Sequence, residues 1–481
     1  MSAAPNTERA SGARRSADLL VALVLCGGML APWAKRAWSG HGDEESVRAE
    51  RRVPAERPDF AFEREALAAF PAAYEAWLSD TFAFRRVLLR WHNALLLRWL
   101  RAAPNERLLV GPQGWIFLRD EGALDSWRGL DPFEPEELDR WQAILERRHD
   151  WCAARDIAYT FLVAPNKHTI YPEELPAGLA PASERRRVHQ LVDHLRAHSR
   201  VDALHLEEAV RAGKQHPALE GVPIYFPHGT HWNSIGAYFG YAELARHLQP
   251  RFPTFAPQPF EAFELVDMGH LPNWGDSWAP QLHVGDLVRQ PLYELEQIAP
   301  RQAQLNPESI RRARHGILDG VVLQADLSLP RMVLFRDSFS TALWPFLAEH
   351  LALLATETDD KFDPDLIERL GADLVVWEKI ERTLQTPPPD ERLDEAEVQS
   401  ARGWLAARRE LELSGEPGPW SGWLRVELAR PGPAAFEVNG ERVDVPEPRR
   451  FAFVRLEDQR GAPRLAPLEG PAPKELRLRA D

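Results

Sequence analysis

Apolar residues recur at spacings that change along the chain, and each change marks a different kind of element. Residues 19–34 form a nearly continuous apolar run. Residues 62–100 repeat apolar positions every three or four residues, which predicts a pair of amphipathic helices. Two short apolar runs then flank Gly111, Pro112 and Gly114, the pattern of a β-hairpin.

From residue 135 onward, apolar runs typical of strands alternate with amphipathic segments typical of helices. Strands are predicted at 157–164, 201–206, 317–323, 331–335, 351–355 and 373–377. Helices are predicted at 135–154, at 182–199, from Trp232, near 340–350 and at 363–370. This alternation predicts an α/β fold with a parallel sheet covered by helices on both faces, and functional sites in the loops beyond the carboxyl ends of the strands.

Breaks in the pattern divide the chain into five segments. We expect a cytoplasmic tail and signal-anchor helix (1–38), a charged tether (39–60), the α/β domain (61–384), a linker with a helical segment (385–413) and a small β-rich domain (414–481). Within the last segment, Asn439-Gly440 is the dipeptide of a tight hairpin turn. We therefore expect a separate β appendage at the C-terminus.

The apolar run at residues 19–34 has arginines before it and Lys35 and Arg36 after it. It is slightly shorter than the ~20 residues that a bilayer core requires, and no clean small-residue cleavage site follows it. We expect an uncleaved signal-anchor, hence a single-pass protein of the cell inner membrane with its catalytic domain in the periplasm or otherwise outside the cytoplasm. A cleaved signal peptide and a buried helix are the alternatives.

Composition narrows the classes of function. The formal net charge of −14 argues against binding of the nucleic-acid backbone as the main role. We find no glycine-rich phosphate loop, no pair of closely spaced cysteines and no cluster of metal ligands, so we expect neither a bound cofactor nor a metal. Most of the seventeen tryptophans should be core residues, but exposed indoles also stack on sugar rings.

The stretch "MVLFRDSFS" (332–340) is the strongest chemical signal. Its apolar run ends in Arg336, Asp337 and Ser338, directly before a predicted helix. A serine at such a turn presents its hydroxyl outward, and the N–H groups of the first helical turn can stabilise an oxyanion. The alternative is that Ser338 or Ser340 merely caps the helix.

Two further loops carry candidate residues. In "VAPNKHTIYPEELP", Asn166 could donate its amide to an oxyanion, and Lys167 and Tyr171 could contact a substrate; a simple turn with a solvated lysine is the alternative. In "VPIYFPHGTHWNSIGAYF", His231 precedes a helix and could serve as the base that a serine nucleophile needs. A lone histidine is more often structural. The position two residues before it, where a carboxylate could hold the ring, is Gly229.

Six motifs follow one another between about residues 70 and 384: "YEAWLSDTFAFR", "VGPQGWIFL", "VAPNKHTIYPEELP", "GTHWNSIGAY", "RDSFSTALWPFL" and "DLVVWEKIERTL". In this order they resemble the alginate O-acetyltransferase family, the AlgX/AlgJ-like branch of the SGNH hydrolases. The resemblance implies a permuted SGNH-hydrolase-like domain in which the histidine motif precedes the nucleophile. It also implies that Ser338 is the nucleophile and His231 the catalytic histidine.

The chain departs from the family pattern at one position. The family has aspartate, any residue, then His-Trp, whereas this chain has Gly229 in the first place. In the serine-protease template, loss of the proper carboxylate lowers turnover about 10⁴-fold. We expect a substitute among Asp337, Glu378 and Glu381, or a backbone carbonyl. Other residues expected to line the site are Arg336, Thr230, Trp232, Asn233 and, for sugar stacking or packing, Trp274 and Trp278.

The resemblance implies O-acetylation of an exported polysaccharide. In this interpretation His231 deprotonates Ser338, which accepts an acetyl group and passes it to a sugar hydroxyl. Because no coenzyme A site is recognisable, the acetyl group should come from a membrane-bound O-acyltransferase partner. The alternatives are a carbohydrate esterase with water as acceptor, and an inactive binding or scaffold subunit of an export complex, which Gly229 favours.

Overall fold

The computed structural model describes residues 7–39, 47, 50, 53–270, 275–305, 320–358, 361–389, 392–411, 420–446, 449–459 and 462–480. The α-helices within these ranges are α1 (Thr7–Ser39), α2 (Arg64–Asp80), α3 (Arg85–Leu95), α4 (Ala123–Arg128), α5 (Pro135–Ala153), α6 (Lys167–Ile170), α7 (Arg187–His198), α8 (Glu207–Gly213), α9 (Ser234–Leu248), α10 (Trp344–Leu347), α11 (Pro364–Leu370) and α12 (Glu395–Ala406). A π-helical turn at Leu96–Leu100 continues α3.

The strands, again for the described residues, are β1 (Leu108–Val110), β2 (Ile116–Leu118), β3 (Ala158–Ala164), β4 (Asp202–His205), β5 (Phe263–Gly269), β6 (Leu292–Gln297), β7 (Gln304–Leu305), β8 (Gly320–Leu323), β9 (Arg331–Phe335), β10 (Leu353–Glu357), β11 (Leu374–Ile380), β12 (Arg409–Leu411), β13 (Trp420–Leu428), β14 (Ala434–Val438), β15 (Glu441–Val445), β16 (Phe451–Gln459), β17 (Leu465–Glu469) and β18 (Pro473–Ala480). β1 and β2 pair antiparallel, as the predicted hairpin requires.

The central sheet has seven strands in the order β4-β3-β11-β9-β10-β8-β7. The first five run parallel, which confirms the predicted α/β fold. β8 and β7 extend one edge in antiparallel pairing, so the sheet is mixed rather than wholly parallel. Mixed sheets of this kind, with an antiparallel edge on a parallel core, are common.

The sheet is apolar on both faces because helices cover both. All seven residues of β3 are buried, and they alternate between two hydrophobic clusters. Leu162 belongs to the cluster that includes Trp232 and α9, whereas Phe161 belongs to the cluster that includes Trp141 of α5. The continuous apolar runs in the sequence follow from this double burial.

Of the N-terminal helices, α3 and the π-helical turn that follows it pack on β1, β2 and residues 279–288 through Ala94 and Leu97. Among the described residues, no helix combines the length and apolar character needed to cross a bilayer. The signal-anchor predicted at residues 19–34 therefore stays a prediction. At the far end of α1, Lys35 donates to the carbonyl of Ala83 and its ammonium lies 4.6 Å from the Phe84 ring centre, directly before α3.

The C-terminal β unit is present as predicted. It consists of two antiparallel sheets, in the orders β12-β18-β13-β16 and β15-β14-β17. Asn439 and Gly440 both have positive φ, as the turn between β14 and β15 requires. The unit begins earlier than residue 414, because β12 pairs with β18 from within the predicted linker.

Candidate active site

Ser338 lies directly beyond the carboxyl end of β9, at the start of a short 3₁₀ turn (Ser338–Ala342). Asp337 shapes this turn: its carboxylate accepts hydrogen bonds from the N–H of Phe339 at 2.8 Å and of Ile380 at 2.7 Å. Beneath it, Glu378 accepts the Asp337 N–H at 3.1 Å. The turn is thus fixed from below, and the Ser338 side chain is left exposed at the sheet edge.

His231 is held on a small hairpin that precedes α9. An isolated β-bridge pairs Tyr225 with Trp232. The Trp232 indole N–H donates to the carbonyl of Phe339 at 2.9 Å, which joins this hairpin to the Ser338 turn. Asn233 then caps α9 by accepting N–H groups of its first turn. The histidine motif and the serine motif are therefore brought together by direct contacts.

Three side chains form a hydrogen-bonded relay. The His231 Nε2 atom lies 2.6 Å from Ser338 Oγ, and His231 Nδ1 lies 2.8 Å from Asp276 Oδ2. Because an ionised carboxylate can only accept, Nδ1 carries the proton and Nε2 can receive the serine proton. This is the arrangement of nucleophile, base and orienting carboxylate found in serine hydrolases.

Asp276 is held by more than the imidazole. Its Oδ2 atom also accepts the backbone N–H of His231 at 2.9 Å and that of Thr230. Burial alone would raise the pKa of the Asp276 carboxyl, but the hydrogen bonds and the charge of His231 outweigh it and hold the pKa well below its usual value. Asp276 is therefore ionised at neutral pH and can orient the ring.

Gly229 leaves the space that this aspartate occupies. A Cβ atom at position 229 would lie 2.4 Å from both the backbone oxygen and the Oδ2 of Asp276. Such distances are far below van der Waals contact. The glycine in the histidine motif and the carboxylate supplied from the 275–290 segment are thus two parts of one arrangement.

The three expected substitutes for the orienting carboxylate were wrong. Asp337 is used in the Ser338 turn, as described above, and Glu378 accepts the hydroxyl of Ser340 at 2.8 Å. Burial, followed by the charge of Asp337, raises the pKa of Glu378 well above its usual value. Glu381 is buried in a separate ion pair, where it accepts from Arg186 at 2.9 Å. All three carboxylates thus form hydrogen bonds or ion pairs that hold the segments beyond the strand ends in place.

Asn166 lies at the same sheet edge, directly after β3. Its side-chain oxygen accepts from Arg382 Nη1 at 3.2 Å. Because a guanidinium only donates, the Asn166 Nδ2 group must face the other way. This group is buried and has no hydrogen-bond partner among the described residues. An unpaired buried donor at the sheet edge where Ser338 also lies is chemically suited to an oxyanion.

The expected oxyanion donors of the helix are only partly available. The N–H of Phe339, the first after Ser338, is taken by Asp337. The sequence-based expectation that the first turn supplies donors is therefore wrong for this amide.

Lys167 and Tyr171 do not face a substrate. The Lys167 ammonium is buried and donates to backbone carbonyls, among them those of Pro227 at 3.1 Å and Gly229. Burial lowers the pKa of Lys167 to about 7. The Tyr171 hydroxyl accepts the N–H of Ile224 at 2.9 Å. Both residues therefore support the loop that carries His231, because buried polar groups form hydrogen bonds with neighbouring protein groups.

The remaining predicted residues are Arg336, Trp278 and Trp274. Arg336 donates to the backbone oxygen of Asp337 at 3.0 Å and to Thr341, which braces the serine turn from the side. Trp278 is half-buried and packs with the cluster that includes Ala94 and Leu97 of the N-terminal helices. Trp274 lies outside the described residues.

One group of side chains has the composition of a metal site. His189, His205 and Glu207 place ligand atoms within 4.8 Å of one another. However, Arg186 donates to Glu207 and its Nη2 lies 3.4 Å from His189 Nε2. A guanidinium at this position opposes the binding of a second cation. The group is better described as a half-buried ion-pair network.

Asp276 was not predicted from the sequence as a site residue. It lies in the segment "NWGDSW", whose two tryptophans were predicted to line the site. One sequence signal could have indicated it: the histidine loop lacks the family aspartate, and the glycine-containing loop around residue 276 carries an aspartate. Such a signal identifies candidates without fixing which one reaches the ring.

Several solved structures are similar to this chain. None of the curated proteins matches the chain. Among solved structures, Bacillus cereus PatB1 is similar at 13% identity and a TM-score of 0.43, over 60% of this chain and 99% of that one. The O-acetyltransferase domain of Pseudomonas putida AlgJ has 17% identity and a TM-score of 0.40, over 61% and 98%. Pseudomonas aeruginosa AlgX has 14% identity and a TM-score of 0.36, over 78% and 93%.

The family model described as the SGNH hydrolase-like domain of acetyltransferase AlgX matches residues 108–378. The matched range is more than half of the 481 residues, and it contains the serine, histidine and aspartate of the relay. The chain therefore belongs to the AlgX family of SGNH hydrolase-like acetyltransferases.

Proposed function

We propose that the chain transfers acetyl groups to hydroxyls of an extracytoplasmic polysaccharide through an acetyl-serine intermediate. The observation that supports this proposal is the relay Ser338–His231–Asp276, with 2.6 Å and 2.8 Å between its reacting polar atoms. The distances are those required for direct proton transfer between nucleophile and base.

The reaction is proposed in two balanced steps. His231 Nε2 takes the Ser338 proton while Oγ attacks the acetyl carbonyl, and the leaving group of the donor departs with the proton from the imidazolium. His231 then deprotonates a sugar hydroxyl, which attacks the acetyl-serine ester; the proton returns to Ser338 Oγ as the sugar ester forms. Asp276 stays ionised throughout and stabilises the imidazolium.

Asn166 is proposed to stabilise the negative charge on the acetyl oxygen in both steps. Its Nδ2 is the unpaired buried donor described above, and Arg382 fixes the direction of the amide. Replacing Asn166 by alanine should lower kcat by roughly 10²–10³ with little change in KM, because the donor acts on the transition state. A change in KM alone, measured by steady-state kinetics, would contradict this role.

The source of the acetyl group is part of the proposal. The family resemblance suggests a membrane-bound O-acyltransferase partner as donor, with the chain anchored in the inner membrane by residues 19–34 and its catalytic domain outside the cytoplasm. An exposed serine at the sheet edge suits delivery of an acyl group by another protein.

A carbohydrate esterase is the second candidate, because the same exposure of Ser338 also admits water as acceptor. The scaffold interpretation has less support than either of these. It rested on the glycine at position 229, and the position of Asp276 accounts for that glycine.

The test uses the purified full chain with an activated acetyl ester as donor, with and without an oligosaccharide acceptor. We expect acetylated sugar to accumulate, and to disappear in Ser338→Ala but not in Ser328→Ala, a matched serine on an exposed loop. Release of acetate alone, equal with and without acceptor, would identify an esterase. Turnover that survives in Ser338→Ala would sink both versions of the mechanism.

A further inference from the structure

The segment from Arg85 to Leu100 has two apolar faces. Its inner face is occupied, because Ala94 and Leu97 pack on the 279–288 segment and the Asn93 side chain donates to the carbonyl of Leu282 at 2.9 Å. An amphipathic helix on a globular domain normally has one apolar stripe, which faces the core. A second stripe needs a partner of its own.

The second stripe lies on the opposite side and faces away from the protein. Its members are 45–80% exposed and recur at helical spacing; they are Val87, Leu88, Trp91, Leu95, Trp99 and Leu100. We name these six residues the outer face. A helix that faces water normally exposes only single, scattered apolar residues. The outer face instead forms a continuous exposed stripe that includes two tryptophans, which is typical of an interaction surface.

The charge of this segment has one sign. Residues 81–105 contain five arginines and no acidic residue, in a chain whose net charge is −14. Arg98 is exposed within the outer face, three residues after Leu95, whereas Arg90 forms an ion pair with Asp286. Exposed arginines flanking an apolar stripe with tryptophans are typical of helices that lie in the interface of anionic bilayers.

The neighbouring helix α1 also exposes apolar side chains. Lys35, at the end of the apolar helix α1, contacts Ala83 and Phe84 immediately before α3. The large apolar side chains described in α1, among them Leu23 and Leu30, are also exposed. The two elements that carry these exposed apolar side chains are thus connected through Lys35. Association of two copies through the outer face would instead bring two arginine-rich segments together, which like charges oppose.

We propose that the outer face docks onto the surface of an anionic lipid bilayer, with Trp91 and Trp99 at the level of the headgroups. The docking goes beyond acyl transfer and does not depend on it. It would hold the catalytic half at a fixed orientation to the membrane, since α3 packs directly on the segment that follows Asp276.

The test reports on the outer face within the full chain. In a Cys26→Ser background, where Cys152 is buried, an environment-sensitive dye is attached at Leu95→Cys or, as a control, at Leu468→Cys. The two leucines are 51% and 46% exposed, so the sites are matched. Each protein is mixed with vesicles of phosphatidylcholine, alone or with phosphatidylglycerol, that carry a lipid-bound quencher.

We expect a blue shift and quenching at position 95 but not at 468, stronger with the anionic lipid. Arg98→Glu should weaken docking roughly fivefold or more, because each basic residue near an anionic surface contributes about a factor of five. Equal signals at the two positions would overturn the proposal, and equal signals in the two lipid mixtures would overturn its electrostatic part. Shielding of position 95 without vesicles, together with a doubled mass, would show a second copy instead and would also overturn it.

Discussion

Gly229 and Asp276 share one small volume beside the imidazole of His231. The carboxylate that orients the ring has its oxygen where a side chain at position 229 would begin, at 2.4 Å from the ideal Cβ. Only one of the two positions can carry the acid. The chain places it at 276, where it also accepts two backbone N–H groups of the histidine loop.

This geometry predicts the outcome of restoring the family motif. Gly229→Asp should lower acyl transfer, by up to ~10⁴-fold if Asp276 is displaced from the ring, and Gly229→Ala should also be harmful because its Cβ meets the same atoms. Steady-state rates with an acetyl ester donor measure the effect, and circular dichroism checks the fold. A gain in rate for Gly229→Asp would contradict the assignment of Asp276.

The double variant Gly229→Asp with Asp276→Gly is the matched control. It moves the carboxylate to the family position and removes the Asp276 side chain, which leaves the backbone oxygen of residue 276 as the remaining close contact of a Cβ at position 229. We expect it to be more active than either single variant, because each single change leaves two groups, or none, where one acid is required.

Lys167 gives a pH-dependent prediction. Burial lowers its pKa to about 7, below the value of about 10.4 in an unfolded chain. The unfolded state therefore binds more protons between these values, so Lys167 makes stability rise with pH from about 7 to about 10, by at most about 1.4 kcal/mol per unit. Urea unfolding at several pH values should show a flatter dependence for Lys167→Met. Identical slopes for both proteins would mean that the pKa of Lys167 is not lowered in the folded state.

Ser338, His231 and Asn166 were predictable because each adjoins a regular element whose apolar pattern is strong. Asp276 was not, because 45 residues separate it from His231 and it lies in an irregular segment between β5 and β6. Nothing in local periodicity specifies which loop folds back onto a given ring. The roles of Lys167 and Glu381 were missed for a related reason: burial, which decides them, depends on tertiary packing.

At the scale of elements, the strands that position the site followed from the sequence within a few residues. β3, β9 and β11 are buried on both faces, so their apolar runs are long and unmistakable. The antiparallel edge was missed because β7 and β8 are short, and pairing direction depends on connection rather than on apolar pattern.

Helix α3 supports the Asp276 segment from outside, and this gives a prediction for the element. Asn93→Ala removes the buried hydrogen bond to the carbonyl of Leu282 and should cost about 1 kcal/mol of stability. It should also lower kcat by up to ~10²-fold, because small displacements of a positioning group are costly. His92→Ala, an exposed neighbour on the same helix, is the control. Loss of stability with unchanged kcat would separate α3 from the relay.

At the scale of the whole molecule, the C-terminal β unit is packed on the α/β domain rather than loosely appended. Trp404 of α12 packs with Ala154 at the end of α5. Arg425 of β13 is 1% exposed and donates to the carbonyl of Ala154 at 3.0 Å and to Asp156 at 2.8 Å. The sequence showed a change of character near residue 414, but it could not show this interface, since a single buried arginine carries no pattern.

We therefore expect the two units to unfold together. Arg425→Met should leave the Ala154 carbonyl without this donor and destabilise the chain by about 1–3 kcal/mol, whereas Arg442→Met, on an exposed hairpin, should have little effect. Calorimetry of the full chain is the measurement. Two separate transitions in the wild type, with only one sensitive to Arg425→Met, would show that the units are thermodynamically independent.

The distant origin of Asp276 also makes catalysis conditional on local order. Joining groups 45 residues apart costs roughly 3 kcal/mol more chain entropy than joining groups two residues apart. Transient opening of the 275–290 segment would release the imidazole while the central sheet stays intact. Activity should then fade at a lower denaturant concentration than the fold, and a newly made chain that has formed its central sheet but not yet ordered this segment would hold its serine and histidine without being able to use them.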